Sequence, residues 1–220
     1  MNCALILSGG KGERFGAPRP KQYTKILGKY IIEYVLEAAF SAGSIDKVLV
    51  AGYDSDEMEE LTAKYGFMRA PGGEKRNITL KNGLDALKAA GCDNVIILDA
   101  VRPLVTAELI DEYMRLLAEG WDAVSTTHPI DDSLGCLDFQ KVDRSRYYLM
   151  QSPEAYRFEG LYAAFDPDSP LTEVAQQLDA DARVYLYKKF MDNPKLTYPR
   201  DLVYIELALK EKYDTTGTRG

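Results

Sequence analysis

Histidine appears once in the 220 residues, as His128, and tryptophan once, as Trp121. One imidazole gives a histidine-based triad a single candidate and a multi-histidine zinc site none, so His128 reads as a structural residue. Cysteine is almost as scarce. Cys3, Cys92 and Cys136 are odd in number and remote from one another in sequence, which argues against a disulfide framework and against a thiolate metal cluster. They read as ordinary thiols, Cys3 within a buried strand. Long apolar runs are absent too. Nothing approaches the ~20 residues that cross a bilayer, and Met1-Asn2-Cys3-Ala4-Leu5-Ile6-Leu7 turns into glycine too early for a signal peptide. The expectation is a cytoplasmic protein with no membrane association.

Basic residues are the minority sign, 27 Lys and Arg against 34 Asp and Glu, for a net charge of −7. A general nucleic-acid binder needs a basic face to displace counterions from phosphates, so no nucleic-acid partner is expected. The cations that are present cluster. Lys11, Arg14, Arg19, Lys21, Lys25 and Lys29 stand together against the single acid Glu13, a local +5 that leaves −12 for the remainder. A small polyanion held at one place fits that distribution better than a long one.

With 46% hydrophobic residues the chain can bury one sizeable core, and 1–220 reads as a single α/β domain. Short apolar runs at 3–8, 47–51 and 94–98 read as strands buried on both faces, the pattern of parallel sheet. Helical stretches at 30–41, 55–65 and 79–90 lie between and around them. Thr106 caps another helix, in which Leu109, Ile110, Tyr113, Leu116 and Leu117 share one face. This alternation predicts a Rossmann-like, mostly parallel sheet with helices on both faces. From about 129 to 150 the sequence is polar and turn-rich, which predicts an arm outside the sheet of the kind that meets a partner subunit. Trp121, Tyr147 and Tyr148 read as core or interface. Helices at 158–165 and 171–178, a strand at 184–187, a last helix at 199–212 and a disordered tail at 214–220 complete the reading.

The first strand ends in Ser8-Gly9-Gly10-Lys11-Gly12-Glu13-Arg14, followed by Pro20-Lys21-Gln22. Glycines there let backbone N–H groups approach phosphate oxygens. Three readings compete. A P-loop requires Lys-Ser or Lys-Thr after its second glycine, which is missing. A dinucleotide fingerprint is approached by Gly10, Gly12 and Gly16 with one residue too many, but Pro18 and Pro20 keep the chain extended where that motif enters a helix. The third reading folds Arg14 and Lys21 over a bound triphosphate, at the carboxyl end of a strand where open α/β sheets take ligands. The bland alternative to all three is a solvated basic loop.

This segment resembles the signature of the methylerythritol-phosphate and ribitol-phosphate cytidylyltransferases, and further blocks follow in the family's order. Gly72-Gly73-Glu74-Lys75-Arg76 with Thr79 is similar to its Gly-Gly…Arg…Ser block, and Asp99-Ala100-Val101-Arg102-Pro103 to its Asp-Ala-Ala-Arg-Pro. Asp143-Arg144 resembles its Asp-Arg pair, Gln151-Ser152-Pro153-Glu154 its Gln-Thr-Pro-Gln, Leu171-Thr172-Glu173-Val174-Ala175 its Thr-Asp-x-Ala, and Asn193-Pro194-Lys195-Leu196-Thr197 its Asn-x-Lys-x-Thr. The resemblance implies a nucleotide-diphospho-sugar transferase type of fold, with a protruding β-arm for dimerisation. It implies transfer of CMP from CTP to a small polyol phosphate with release of pyrophosphate, the best candidate acceptor being 2-C-methyl-D-erythritol 4-phosphate and the alternative D-ribitol 5-phosphate.

By the same resemblance, Arg14, Lys21 and Lys195 carry the catalysis, gripping the triphosphate and stabilising charge in the transition state. Ser8, Gly9, Gly10, Gly12, Gly73, Arg76, Thr79, Asp99 and Arg102 bind the nucleotide, and Ser133, Arg144, Ser152 and Thr172 the polyol phosphate. Asp99 is also the candidate ligand for Mg²⁺, and Arg144 is implied to reach the partner's site in a homodimer. Asp99 has a plainer reading as a turn aspartate, and Arg102 as its ion-pair partner. The departures gather on the polyol side. Leu98 stands where the family has histidine, Ser152 and Ser133 replace threonines, Glu154 replaces a glutamine, and a glycine before Asn193 is missing. A CTP-binding relative without turnover and a dinucleotide-dependent reductase are the competing classes, told apart by calorimetry with CTP and by NADH titration.

Overall fold

The computed structural model describes residues 1–10, 12, 15–16 and 19–217, the side chains of 213–217 excepted. Among these residues, seven strands build one sheet. β1 (Asn2–Ser8) is followed by a two-stranded ribbon, β2 (Lys25–Ile26) and β3 (Lys29–Tyr30), and then by α1 (Ile31–Ser41), β4 (Lys47–Gly52), α2 (Asp56–Tyr65) and β5 (Met68–Pro71). The chain continues through α3 (Arg76–Ala90), β6 (Asn94–Asp99), α4 (Ala107–Ala118), β7 (Ala123–His128), β8 (Leu149–Arg157), α5 (Phe158–Ala164), β9 (Val184–Tyr187) and α6 (Asp201–Gly217). The sheet order is β5-β4-β1-β6-β8-β7-β9, and β8 alone runs against its neighbours. The mostly parallel sheet read from the sequence is what forms.

Side chains of β1 alternate between two cores, which is why its run is apolar throughout. Ala4 and Ile6 face α1, α2 and α4 through Ile32, Val35, Met58, Ile110 and Tyr113. Leu5 and Leu7 face α3 and α5 through Leu80, Leu84, Leu87, Phe158 and Leu161. Each such aliphatic side chain taken from water contributes about 1.5–3 kcal/mol, so the two faces together fix β1 at the centre. A third cluster ties α6 to the turn after β1 through Phe15, Ile26, Ile31, Leu196, Ile205 and Leu209. Thr106 caps α4 as read, its Oγ1 accepting from Leu109 N, and Ser55 Oγ caps α2 likewise, accepting from Met58 N, both at 3.2 Å.

α3 sits unusually close to the sheet. A Cβ added at Gly83 would lie 2.6 Å from Leu5 Cδ1. Gly83→Ala is therefore expected to overpack the core by about 1–3 kcal/mol, lowering Tm by roughly 2–12 °C in scanning calorimetry for a domain of this size. An unchanged Tm would mean that α3 lifts from β1 without cost.

Several local readings are corrected. The helix expected at 171–178 is a single 3₁₀ turn, Val174–Gln177. Val174 and Ala175 are the buried apolar residues there, while Leu171 is exposed and the buried Glu173 is engaged by the Tyr148 hydroxyl and the Gln176 amide, so no continuous apolar face exists. α3 starts at Arg76, three residues before the expected start at Thr79. β7 was hidden by Ser125, Thr126 and Thr127, which are buried; Thr126 is satisfied by the Tyr113 hydroxyl at 2.6 Å and the Pro153 carbonyl at 2.7 Å. The expected β-arm carries no strand between His128 and Leu149, only the 3₁₀ turn Arg144–Arg146. Leu137 and Phe139 are almost fully exposed on it, so nothing apolar aligns a ladder. α6 continues to Gly217, into the segment expected to be disordered, because a helix docked along one face extends at little cost. Cys3 and Cys92, remote in sequence, meet thiol to thiol in the core, and both are free.

Candidate active site

From β1 the chain crosses through α1 to β4 on one side, whereas α3 returns it to β6 on the other. The carboxyl ends of β1 and β6 therefore bound a topological switch point, where connections diverge and leave a crevice. Leu7 pairs with Asp99 there. A cleft of about 540 Å³ opens at this point, lined by Ser8 at the end of β1 and by Gly9, Gly10, Gly12, Lys21 and Gln22 from the segment that follows. Glu74, Lys75, Arg76 and Thr79 line it from the start of α3, Asp99 and Val101 from the end of β6, and Lys195 and Thr197 from the segment before α6.

The loop is held by specific contacts. Gln22 Nε2 donates to the Ser8 carbonyl at 2.8 Å, which fastens the returning 3₁₀ turn Lys21–Tyr23 to the end of β1. Gly12 adopts φ +71°, a left-handed conformation that disfavours a side chain. At Gly9 a Cβ would stand 2.3 Å from Thr79 Oγ1, so only glycine lets the loop lie on the first turn of α3. Thr79 Oγ1 in turn accepts from Gly73 N at 2.9 Å. Gly73, with its carbonyl taken by the Tyr53 hydroxyl, braces the start of α3 and is not in the cleft lining.

Charge concentrates at Asp99. Its Oδ2 receives Lys195 Nζ at 2.8 Å and lies 3.4 Å from Arg102 Nε, and its Oδ1 is 4.0 Å from Arg76 Nε. Burial pushes the carboxyl up, but Lys195, Arg76 and Arg102 outweigh it and hold Asp99 well below the usual carboxylate range. Behind Arg76 stands Glu154, fully buried, whose carboxyl is raised by that burial against the opposing pull of Arg76 and the Tyr156 hydroxyl. Arg102 also donates to Gln151 Oε1 at 3.0 Å and to the Asn193 carbonyl. Asn193 Nδ2 donates to Gln151 Oε1 at 2.9 Å and the Ser152 carbonyl at 2.6 Å. These bonds moor the 193–197 segment to β8 and carry Lys195 to Asp99.

Of the residues singled out in the sequence, Ser8, Gly9, Gly10, Gly12, Lys21, Arg76, Thr79, Asp99 and Lys195 come together in the cleft lining. Arg102 lies just behind, and Arg14 is outside the described residues. The polyol-side residues do not join them in this chain. Ser152 is buried, its Oγ accepting from Asp99 N at 2.9 Å, so it braces the end of β6. Thr172 and Ser133 are exposed, and Arg144, on the arm, donates to the carbonyls of Asp131 and Asp132. Sequence reasoning passed over Lys75, Glu74 and Thr197 as lining residues, and Gln151, Asn193 and Glu154 as braces. All six sit inside the motif blocks, which was the available signal.

The family model for IspD, 2-C-methyl-D-erythritol 4-phosphate cytidylyltransferase, matches residues 2–211. A relative of that name from Rubrobacter xylanophilus is 33% identical, the match covering 95% of this chain and 96% of the relative. A D-ribitol-5-phosphate cytidylyltransferase from Xenopus tropicalis is 30% identical over 95% of this chain and 57% of its own length. Among solved structures, a 4-diphosphocytidyl-2C-methyl-D-erythritol synthase from Anaerococcus prevotii superposes with a TM-score of 0.81 at 22% identity, covering 96% of both chains, a likeness of fold.

Proposed function

Because the chain belongs to the 2-C-methyl-D-erythritol 4-phosphate cytidylyltransferase family, we propose that it transfers CMP from CTP to 2-C-methyl-D-erythritol 4-phosphate and releases pyrophosphate. The observation that carries this reading is the convergence of Lys21 and Lys195, 174 residues apart, on one glycine-floored cleft beside Asp99. An oxygen of the acceptor phosphate attacks the α-phosphorus, the bond to the departing pyrophosphate breaks, and negative charge gathers on the non-bridging oxygens. The phosphate nucleophile is already ionised, so fixed cations contribute more than a general base. Lys21 and Lys195 fill that role, with Arg14 as the third. The floor glycines admit the phosphates to backbone N–H groups.

Among the described residues no group of three His, Cys, Asp or Glu could hold a metal. Mg²⁺ on a triphosphate needs only one or two carboxylates, the rest of its shell being phosphate and water oxygens. Asp99 fits that demand, since Lys195 and Arg102 engage Oδ2 whereas the ion-pair contact on Oδ1 is the distant one to Arg76. Mg²⁺ bound through Asp99 would neutralise phosphate charge.

The reading extends to a cytoplasmic homodimer in which Arg144 reaches the acceptor phosphate of the partner's site. The exposure of Leu137 and Phe139 on the arm supports a partner there. Similarity to a D-ribitol-5-phosphate cytidylyltransferase favours a second acceptor, which the same assay separates. Purified protein with CTP and magnesium is expected to release pyrophosphate with methylerythritol phosphate at least tenfold faster than with ribitol 5-phosphate or glycerol 3-phosphate. The reverse order would reassign the acceptor, and no release with any of them would sink the reaction.

A further inference from the structure

Glu154 lies on β8 opposite Ile97 of β6, outside the cleft lining and without solvent exposure. A carboxylate so placed is costly unless each oxygen has a partner. Both do: Oε1 accepts from Arg76 Nη2 at 3.1 Å and Oε2 from the Tyr156 hydroxyl at 2.5 Å. Tyr156 is itself fully buried, so the carboxylate is pinned from the core side. Arg76, at the start of α3, belongs to the cleft wall, and its Nη1 has no hydrogen-bond partner among the described residues. A contact chain therefore runs from the core, Tyr156 to Glu154 to Arg76, and ends at the site.

An arginine at the first position of a helix has many rotamers of similar energy, and Arg76 also has Asp99 within 4.0 Å. Without Glu154 nothing on the core side would hold the guanidinium in the wall, and it would be drawn onto Asp99, competing with Lys195. We infer that Glu154 is a positioning residue for the nucleotide site, holding the Arg76 guanidinium in the cleft wall in the geometry that receives the nucleotide. The inference rests on the nucleotide reading proposed above. It assigns to a buried residue, remote from the reacting atoms, a share in the affinity for CTP.

Calorimetric titration of CTP in magnesium buffer tests this without any acceptor. Glu154→Met, close in length but without oxygens, is expected to raise the Kd for CTP about tenfold, the scale of a hydrogen bond to a charged group. Glu154→Gln, which keeps an acceptor oxygen for Arg76, is expected to restore Kd to within about threefold of the wild type. Tyr156→Phe, a milder change in the core, should raise Kd about threefold by loosening the carboxylate. In an Arg76→Ala background, Glu154→Met and Tyr156→Phe should each move Kd by less than about twofold, because the residue they act through is gone. Equal shifts in both backgrounds, or a wild-type Kd in folded Glu154→Met or Tyr156→Phe protein, would overturn the inference alone. A wild-type protein that binds no CTP would overturn the nucleotide reading and the inference with it.

Discussion

Lys195→Ala should lower kcat/KM by about 10³, close to 4 kcal/mol of transition-state stabilisation, with most of the loss in kcat. The reasoning is differential. A cation beside the α-phosphorus meets more charge in the transition state than in bound CTP, so its removal is felt more in rate than in binding. Lys195 is half in the cleft and half in an ion pair, and its side chain keeps 36% exposure, so folding depends on it little. Asp99 retains Arg102 and Arg76 after the substitution. Thermal unfolding should move by no more than a few degrees while pyrophosphate release collapses. A variant with kcat within tenfold of the wild type would take Lys195 out of the chemistry, whatever its position.

Asp99→Asn should have the largest effect on stability. Arg76 keeps Glu154 and Lys195 reaches solvent, but Arg102, its side chain 11% exposed, is left without a carboxylate, and uncompensated buried charge costs about 3–5 kcal/mol. A Tm lower by roughly 10 °C is expected for a chain of this size. The effect has a pH signature of known sign. The folded-state pKa of Asp99 lies below its unfolded value, near 3.9, so its contribution is complete above that value and is lost as pH falls through the folded pKa. The stability gap between wild type and Asp99→Asn is therefore widest at neutral pH and narrows below about pH 4. Urea unfolding of both proteins at pH 7 and pH 3 measures it. A gap independent of pH would mean that the ion pairs around Asp99 contribute nothing net.

What the sequence made legible follows from which forces are local. β1, β4 and β6 are apolar on both faces, and Thr106 announces its helix, so the three central parallel strands could be read directly, whereas the short edge strand β5 could not. β7 could not, because its Ser125-Thr126-Thr127 is buried by partners supplied from α4 and β8. β8 escaped for a related reason: Glu154 within it is neutralised by an arginine 78 residues earlier, which no window along the chain reveals. The cleft was legible as a set of residue types and blind as geometry. Lys21 and Thr79 could be named from their blocks, but that Gly73 and Ser152 brace the site from behind depends on hydrogen bonds that only the folded chain displays. The arm marks the opposite limit. Its Leu137 and Phe139 stay exposed among the described residues, and what holds it is polar, Arg144 to the Asp131 and Asp132 carbonyls, which no hydrophobic pattern announces.

The wide sequence separation of the cleft walls bears on when the protein first becomes active during its synthesis. The glycine floor emerges from the ribosome early, and β4 and then β6 can add to either side of β1, and β5 to β4, as they appear. Lys195 and the Asn193 moorings to β8 arrive only when about nine-tenths of these residues have been made. A nascent chain can thus hold the central strands and the glycine floor of the cleft before the wall that carries Lys195 has been made. On the function proposed above, a site for the nucleotide would precede turnover, and the late-made segment that carries Lys195 is followed only by α6, which packs back on Phe15 and Ile31.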